Sequence, residues 1–269
     1  MQSRHMDESR FEPRLFRTTV PYYARYRLGY PDLLIERVIE RAGLQWGDAV
    51  LDLGCGPGLL AIPFAKAQMR VRGMDPEPDM LAAAREAARE AAVVVDFRQG
   101  SSFDLHEGSG RFKLVAMGRS FHWMDRKETL EILDQIVVRD GAVAIFTDHH
   151  PDTVENKWRE AVREIGSRYG AEYSQWRKRR RDPEYRSHES LLLDSPFSQV
   201  EETSIFVRNP LSIDEIIGRA LSLSATSPEK LGARRAAFED DLRAELARLS
   251  PGGAFTEVAQ IGASIARRP

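Results

Sequence analysis

The run Val50-Leu51-Asp52-Leu53-Gly54-Cys55-Gly56-Pro57-Gly58 joins an apolar segment to an acid and then to three glycines at alternate positions. Glycines let a backbone bend sharply and approach a ligand closely, and a helix that follows them points free N–H groups at that ligand. The chemistry implied is the holding of a nucleotide-like cofactor. Spacing narrows the choice, because a dinucleotide fingerprint needs its third glycine at the position occupied by Leu59. A pyrophosphate ligand, and with it nicotinamide chemistry, is therefore not expected. A second acid, Asp75, ends the next expected strand, where a carboxylate can accept two ribose hydroxyls.

At this point the sequence resembles the class I S-adenosylmethionine-dependent methyltransferases, whose first motif is similar to Asp52-Leu53-Gly54-Cys55-Gly56-Pro57-Gly58. The resemblance implies that S-adenosylmethionine is the cofactor. It also implies that the bend lines the methionine half, that Asp75 holds the ribose, and that Pro76 and Met80 lie beside the adenine. Gly100-Ser101-Ser102-Phe103-Asp104-Leu105 matches the family's third segment, with Ser101, Ser102 and Phe103 toward the adenine. The fourth segment, Met117-Gly118-Arg119-Ser120-Phe121-His122-Trp123-Met124-Asp125, is similar to the aromatic-rich His-Trp signature of a small-molecule, methyltransferase type 11-like subgroup. In it, Gly118, Ser120 and Phe121 face the cofactor. The stretch from Tyr22 to Pro31 resembles the same subgroup's Tyr/Arg segment, which folds over the cofactor. There Arg27 would hold the cofactor carboxylate, and Tyr22, Tyr23 and Tyr26 would wall the acceptor pocket. The specific motifs run from Tyr22 to Phe146, and the middle of the chain is not covered.

Catalytic candidates are His122, Tyr22 and Tyr26. His122 reads two ways, as a packed residue or as a general base working near neutral pH. His149 and His150 follow the fifth expected strand and are rival bases. With only Asp148 and Asp152 nearby, the three histidines do not make a convincing ligand set, and no metal is expected. Cys55 reads as a small residue that fits the bend rather than as a nucleophile. The reaction expected is an in-line methyl transfer, with aromatic faces of Phe121, Tyr22 and Tyr26 near the cationic donor.

These residues need a scaffold. Leu34, Ile35, Val38, Ile39 and Ala42 recur at helical spacing after Pro31, and strands are expected at 49–53, 71–74, 93–97, 112–117 and 142–146, alternating with helices. Such alternation implies right-handed crossovers and an α/β, Rossmann-like, doubly wound, mainly parallel sheet. Val154, Trp158, Ala161, Ile165 and Tyr169 form a helical stripe running into Arg177-Lys178-Arg179-Arg180-Arg181. A strand follows at 200–207, then a helix opened by Ser212 and Glu215 as a capping box. Another helix opens at Ser227-Pro228, and a last strand spans 255–266, for seven strands with a helical cap. The division expected is a covering segment over 1–30, a cofactor-binding core over 31–148, a helical insertion over 149–196, and sheet strands with cap helices over 197–269.

Composition bounds the partners. The 269 residues carry a net charge of −2 with 30% charged side chains, which gives no polyelectrolyte signature and favours a small-molecule acceptor over nucleic acid or membrane. The run Arg177 to Arg181 is the exception: it reads as a solvated helix face that would also suit an anionic substrate or RNA. One cysteine allows no intramolecular disulfide, which fits a reducing cytoplasm. Neither a signal peptide nor a membrane span is expected, and Met1 to Met6 reads as an added leader with Met6 the native start. Two alternatives to the small-molecule enzyme stay open: an RNA or protein methyltransferase, and a catalytically silent cofactor-binding module. Sequence does not address the oligomeric state.

Overall fold

In β1 (Ala49–Leu53), Val50 faces one apolar cluster while Leu51 and Leu53 face another, a pattern that persists only when helices cover both sides of a sheet. The computed structural model describes residues 17–172 and 185–269. The opening residues 1–16 and the Arg177 to Arg181 run lie outside that set.

Seven strands form one sheet in the order β3-β2-β1-β4-β5-β7-β6. The other strands are β2 (Arg70–Asp75), β3 (Asp96–Gln99), β4 (Phe112–Gly118), β5 (Val137–His149), β6 (Gln199–Ser212) and β7 (Ala254–Arg267). From β3 to β5 all pairings are parallel, and β7 is antiparallel to both β5 and β6. Helices α2 (Asp32–Ala42) and α3 (Ala61–Lys66) place Leu34, Val38 and Phe64 on one face. On the other face, α5 (Arg126–Ile136) brings Leu130 and Leu133. The α/β, doubly wound, mainly parallel sheet of seven strands is as the sequence implies.

Three boundaries differ from the expectation, each for a local reason. The third strand begins at Asp96 rather than Val93. Helix α4 (Pro78–Glu90) closes with Ala92 in the left-handed region (φ 53°), Val93 N–H bonding the Ala88 carbonyl and Ala92 N–H bonding that of Arg89. That is a helix-ending motif which usually uses glycine, and it consumes the first of the three valines. The fifth strand begins at Val137 rather than at Ala142, with a register shift between Phe112 and Leu114 on its β4 neighbour. The stripe expected from Val154 begins at Trp158, the first residue of α6 (Trp158–Arg168), and Val154 is exposed.

A third apolar cluster sits off the sheet. It joins Trp158 and Ile165 of α6, Ile216 and Ile217 of α8 (Ile213–Leu221), and Phe238, Leu242 and Leu246 of α10 (Arg235–Leu249). The Ser212–Glu215 capping box opens α8 as the sequence implies, with Ser212 N–H donating to Glu215 Oε2 at 2.7 Å. Ser227-Pro228 opens only the single turn α9 (Pro228–Leu231), and α10 is separate. Since α6 follows β5, α8 follows β6 and α10 precedes the antiparallel β7, this helical layer is attached at the carboxyl ends of the parallel strands, where open α/β sheets bind ligands. At the start of the chain α1 (Val20–Tyr26) packs against α8 and α4, and in the middle α7 (His188–Leu193) packs against α5 and β6.

Candidate active site

The bend after β1 is set by close approach. Gly54 has φ 73°, and a Cβ there would lie 2.4 Å from Ser120 Cβ, so only glycine fits. Ser120 Oγ in turn donates to the Leu53 carbonyl at 2.7 Å, tying the tip of β4 to the bend. Asp75, at the end of β2, accepts the Gly56 N–H at 2.8 Å on Oδ2 and the Glu77 N–H at 2.9 Å on Oδ1. Each oxygen keeps a further acceptor site for a ligand hydroxyl. Burial pushes the Asp75 carboxyl up to about 6, against the opposing pull of those two N–H bonds.

A slot opens at this bend. Gly54, Gly56, Asp75, Pro76 and Met80 line one side, Ser101, Ser102 and Phe103 a second, and Gly118 and Ser120 a third. Tyr23, Leu53, Arg119, Trp123 and Met124 complete it and were not among the cofactor residues expected from sequence. Ser101 is committed locally: its hydroxyl donates to Asp104 Oδ2 at 2.8 Å and accepts the Phe103 N–H, forming a cap. Phe103 stands exposed at the slot's rim.

Five of the expected cofactor residues do not line the slot. Asp52 is buried and turned away, accepting the Ala61 N–H at 2.9 Å where α3 begins, and burial raises its carboxyl to about 8. Its place is inside the turn, as a cap. Cys55 is buried with its sulfur against Gly73, and burial pushes its thiol up. Gly58 packs on Ile62 and Ala84. Phe121 is buried, 5.1 Å from the His188 ring, and Arg27 lies elsewhere.

The tyrosine segment is the clearest rearrangement. It is helical in α1, so Tyr22 and Tyr26 share one face while Tyr23 and Arg27 share another. Tyr22 accepts a hydrogen bond from the Arg235 guanidinium at 2.6 Å, and the Tyr26 ring lies on Gly218 of α8. Neither lines the slot or the cavities beside it. Tyr23 does, with the Arg27 guanidinium 4.9 Å from its ring centroid.

With this geometry in place, comparison with known proteins is informative. Residues 50–139 match a family model described as a methyltransferase domain. A ubiquinone biosynthesis O-methyltransferase of Azorhizobium caulinodans is 42% identical over 69 residues, 26% of this chain and 27% of that protein. A 2-phytyl-1,4-naphtoquinone methyltransferase of Synechococcus elongatus is 31% identical over 126 residues, 43% of this chain and 54% of that protein. Both matches therefore cover little more than half of the relatives' length at most. A solved structure from Anaeromyxobacter dehalogenans, described as a candidate type II methyltransferase, aligns over 90% of this chain and 98% of its own with a TM-score of 0.58 and 21% identity, which speaks to fold. Residues 50–139 therefore match a methyltransferase domain, and the sheet around them has the fold of such enzymes.

Beside the slot lies a cavity of about 1120 Å³. The two share Tyr23, Arg119, Ser120 and Trp123 as a common wall. His122 and Phe121 line the larger space, as do His149, Asp148 and His188. His150 does not, being held by Glu257 Oε1 at 3.0 Å and facing Asp148 Oδ2 at 3.6 Å. Among the described residues, no three His, Cys, Asp or Glu side chains are gathered to hold a metal ion.

Arg119, which the sequence did not single out, lines the slot and the cavity beside it. It sits at the tip of β4 in the left-handed region, φ 57°, where side-chain-bearing residues are uncommon. Its guanidinium pairs with Asp148 at 2.6 Å, donates to the Leu28 carbonyl at 2.7 Å and lies over Tyr30, 4.8 Å from the ring centroid. The signal in the sequence was a long basic side chain between Gly118 and Ser120, amid residues chosen for smallness.

Proposed function

We propose that this chain transfers a methyl group from S-adenosylmethionine to a nucleophilic atom of a small molecule held in the 1120 Å³ cavity. The observation that carries the reading is the wall shared by slot and cavity, since a donor in one and an acceptor in the other would meet across Tyr23, Ser120 and Trp123. The curated relatives, named for methylating quinone precursors, agree with a small organic acceptor.

The residues present fit the cofactor. The bend at Gly54 leaves a cradle that a Cβ would fill, Asp75 offers acceptor sites suited to ribose hydroxyls, and Pro76, Met80 and Phe103 offer apolar surface for an adenine. When bound, the cofactor supplies a sulfonium-activated methyl group, so little chemistry is asked of the protein beyond alignment and exclusion of water. Phe121 and Trp123 present apolar surface, and His122 would take a proton from an acceptor hydroxyl or amine. The helical layer of α6, α8 and α10 acts as the cap that selects the acceptor, while Tyr22 and Tyr26 brace that cap rather than touch substrate.

Calorimetric titration with S-adenosylhomocysteine tests the reading, with methyl transfer to a panel of phenols, amines and organic acids measured alongside. Saturable one-site binding with no binding of a nicotinamide dinucleotide is expected. Absence of S-adenosylhomocysteine binding would overturn the proposal.

A further inference from the structure

A second cavity, about 380 Å³, lies beyond Arg27 and Arg119 between the start of the chain, the end of β5 and the helical layer. Arg27, Arg119, Arg159, Arg163 and Arg219 line it, against the acids Asp148 and Glu257. It shares Arg27, Arg119, Asp148 and Leu223 with the 1120 Å³ cavity but only Arg119 with the slot.

The charges do not cancel. Asp148 pairs with Arg119. Glu257, 2% exposed, pairs with Arg219 and His150 and lies 4.0 Å from Arg159. Arg159 and Arg163 reach the rim, the first with a 34% exposed side chain and the second exposed. That leaves Arg27 as the inner cation without a salt bridge of its own among the described residues, Asp148 being committed to Arg119. Its buried Nε has no hydrogen-bond partner among them, and one Nη makes only a 3.4 Å contact with the Ser222 carbonyl. A buried guanidinium left this way is costly unless an anion completes it. Burial, with the neighbouring Arg119, pulls the Arg27 pKa down, and the opposing pull of Tyr23, Asp148 and Tyr30 only partly offsets it.

Much of the remaining lining is apolar, with Leu28, Trp158, Val162 and Ile216 beside the polar His150 and Ser222. One unmatched inner cation calls for a monoanion, and the planar fork of a guanidinium matches a carboxylate. The apolar walls call for a hydrocarbon body beside it. We infer that this cavity seats a carboxylate of the methyl acceptor at Arg27, so that the acceptors are small organic acids with an apolar body. The inference rests on the methyl-transfer reading for its word acceptor. Because the cavity meets the slot only at Arg119, the seated carboxylate is the anchor, and the methylated atom is another one, reaching into the shared wall.

Titration of the full chain with benzoate, benzamide and inorganic phosphate, each with and without S-adenosylhomocysteine, tests this. Benzoate is expected to bind at least about tenfold more tightly than benzamide, equivalent to the loss of one charge-assisted pair. Arg27→Gln should erase that preference, whereas Arg163→Gln at the rim should leave it within about threefold. If Arg27→Gln fails to fold, the benzoate to benzamide ratio of the unaltered protein still decides. Equal binding of benzoate and benzamide, or phosphate binding more tightly than benzoate, would overturn the inference. So would displacement of benzoate by S-adenosylhomocysteine, which would assign Arg27 to the cofactor's own carboxylate. Benzoate preference without any S-adenosylhomocysteine binding would overturn the methyl-transfer reading and leave the anion seat standing.

Discussion

Asp75 accepts the backbone N–H of Gly56 at 2.8 Å, so the acid that ends β2 also fixes the bend that ends β1. The same carboxylate lines the slot, and it must be ionised to accept ribose hydroxyls. With its pKa pushed up to about 6 by burial, affinity for S-adenosylhomocysteine should fall as pH drops through that value, by about tenfold per pH unit below it. Stability runs the other way for this group: its folded pKa lies above the ordinary 3.8, so its contribution is greatest below 3.8 and declines as pH rises through about 6. Asp75→Asn should weaken binding by about 1–3 kcal/mol at neutral pH and flatten the profile. Calorimetry across the acidic range checks both; a wild-type affinity that does not change there would refute the ribose assignment.

Gly54→Ala should be more damaging than its one methyl suggests. The new Cβ would meet Ser120 Cβ at 2.4 Å, and a β-carbon cannot swing aside. The φ of 73° adds about 1–2 kcal/mol of strain. We expect lost S-adenosylhomocysteine binding and a lowered Tm. The double variant with Ser120→Gly should recover part of the Tm, because it removes the collision and leaves the strain.

Glu257 ties β7 to α8 and β5 through Arg219 and His150. Burial raises its carboxyl, but the bonds from His150 and Arg219 outweigh that and bring it down to about 2. Its contribution is therefore full above the ordinary 4.5 and is lost as pH falls toward about 2. Glu257→Gln leaves buried cations short of their partner and should cost about 3–5 kcal/mol in chemical denaturation at neutral pH. The difference from the unaltered protein should shrink as the medium is acidified.

His122 lines the acceptor cavity and not the slot. If it takes the acceptor's proton, His122→Gln should lower kcat by about 10²–10⁴ for acceptors that ionise poorly, with S-adenosylhomocysteine affinity unchanged. A packing role would instead move Tm and leave kcat within a few-fold.

The succession of strands along the chain and the bend were legible because they are written in local patterns: apolar runs, a closing acid, and glycines where no side chain fits. The site's outer half was not, for reasons visible in single residues. Tyr22 and Tyr23 are neighbours in a tyrosine-rich stretch, and only the helical rotation of α1 sends the first to the cap and the second to the slot. Asp52 has the motif's acid, yet whether an acid faces a ligand or caps the next turn depends on where Ala61 N–H points. Arg119 acquires its position from a backbone conformation that its residue type disfavours, and its partner Asp148 comes from another strand. The arginine cavity assembles side chains from six separate stretches of chain, a grouping that no spacing announces.

The buried thiol of Cys55, the one cysteine in 269 residues, sits in the bend itself, against Gly73. A thiol-selective alkylating reagent can reach it only when that bend swings open, so the labelling rate clocks the opening with no engineered probe. An occupant of the slot that clamps the bend shut would slow the clock, giving a gauge of occupancy that needs neither an acceptor nor a turnover.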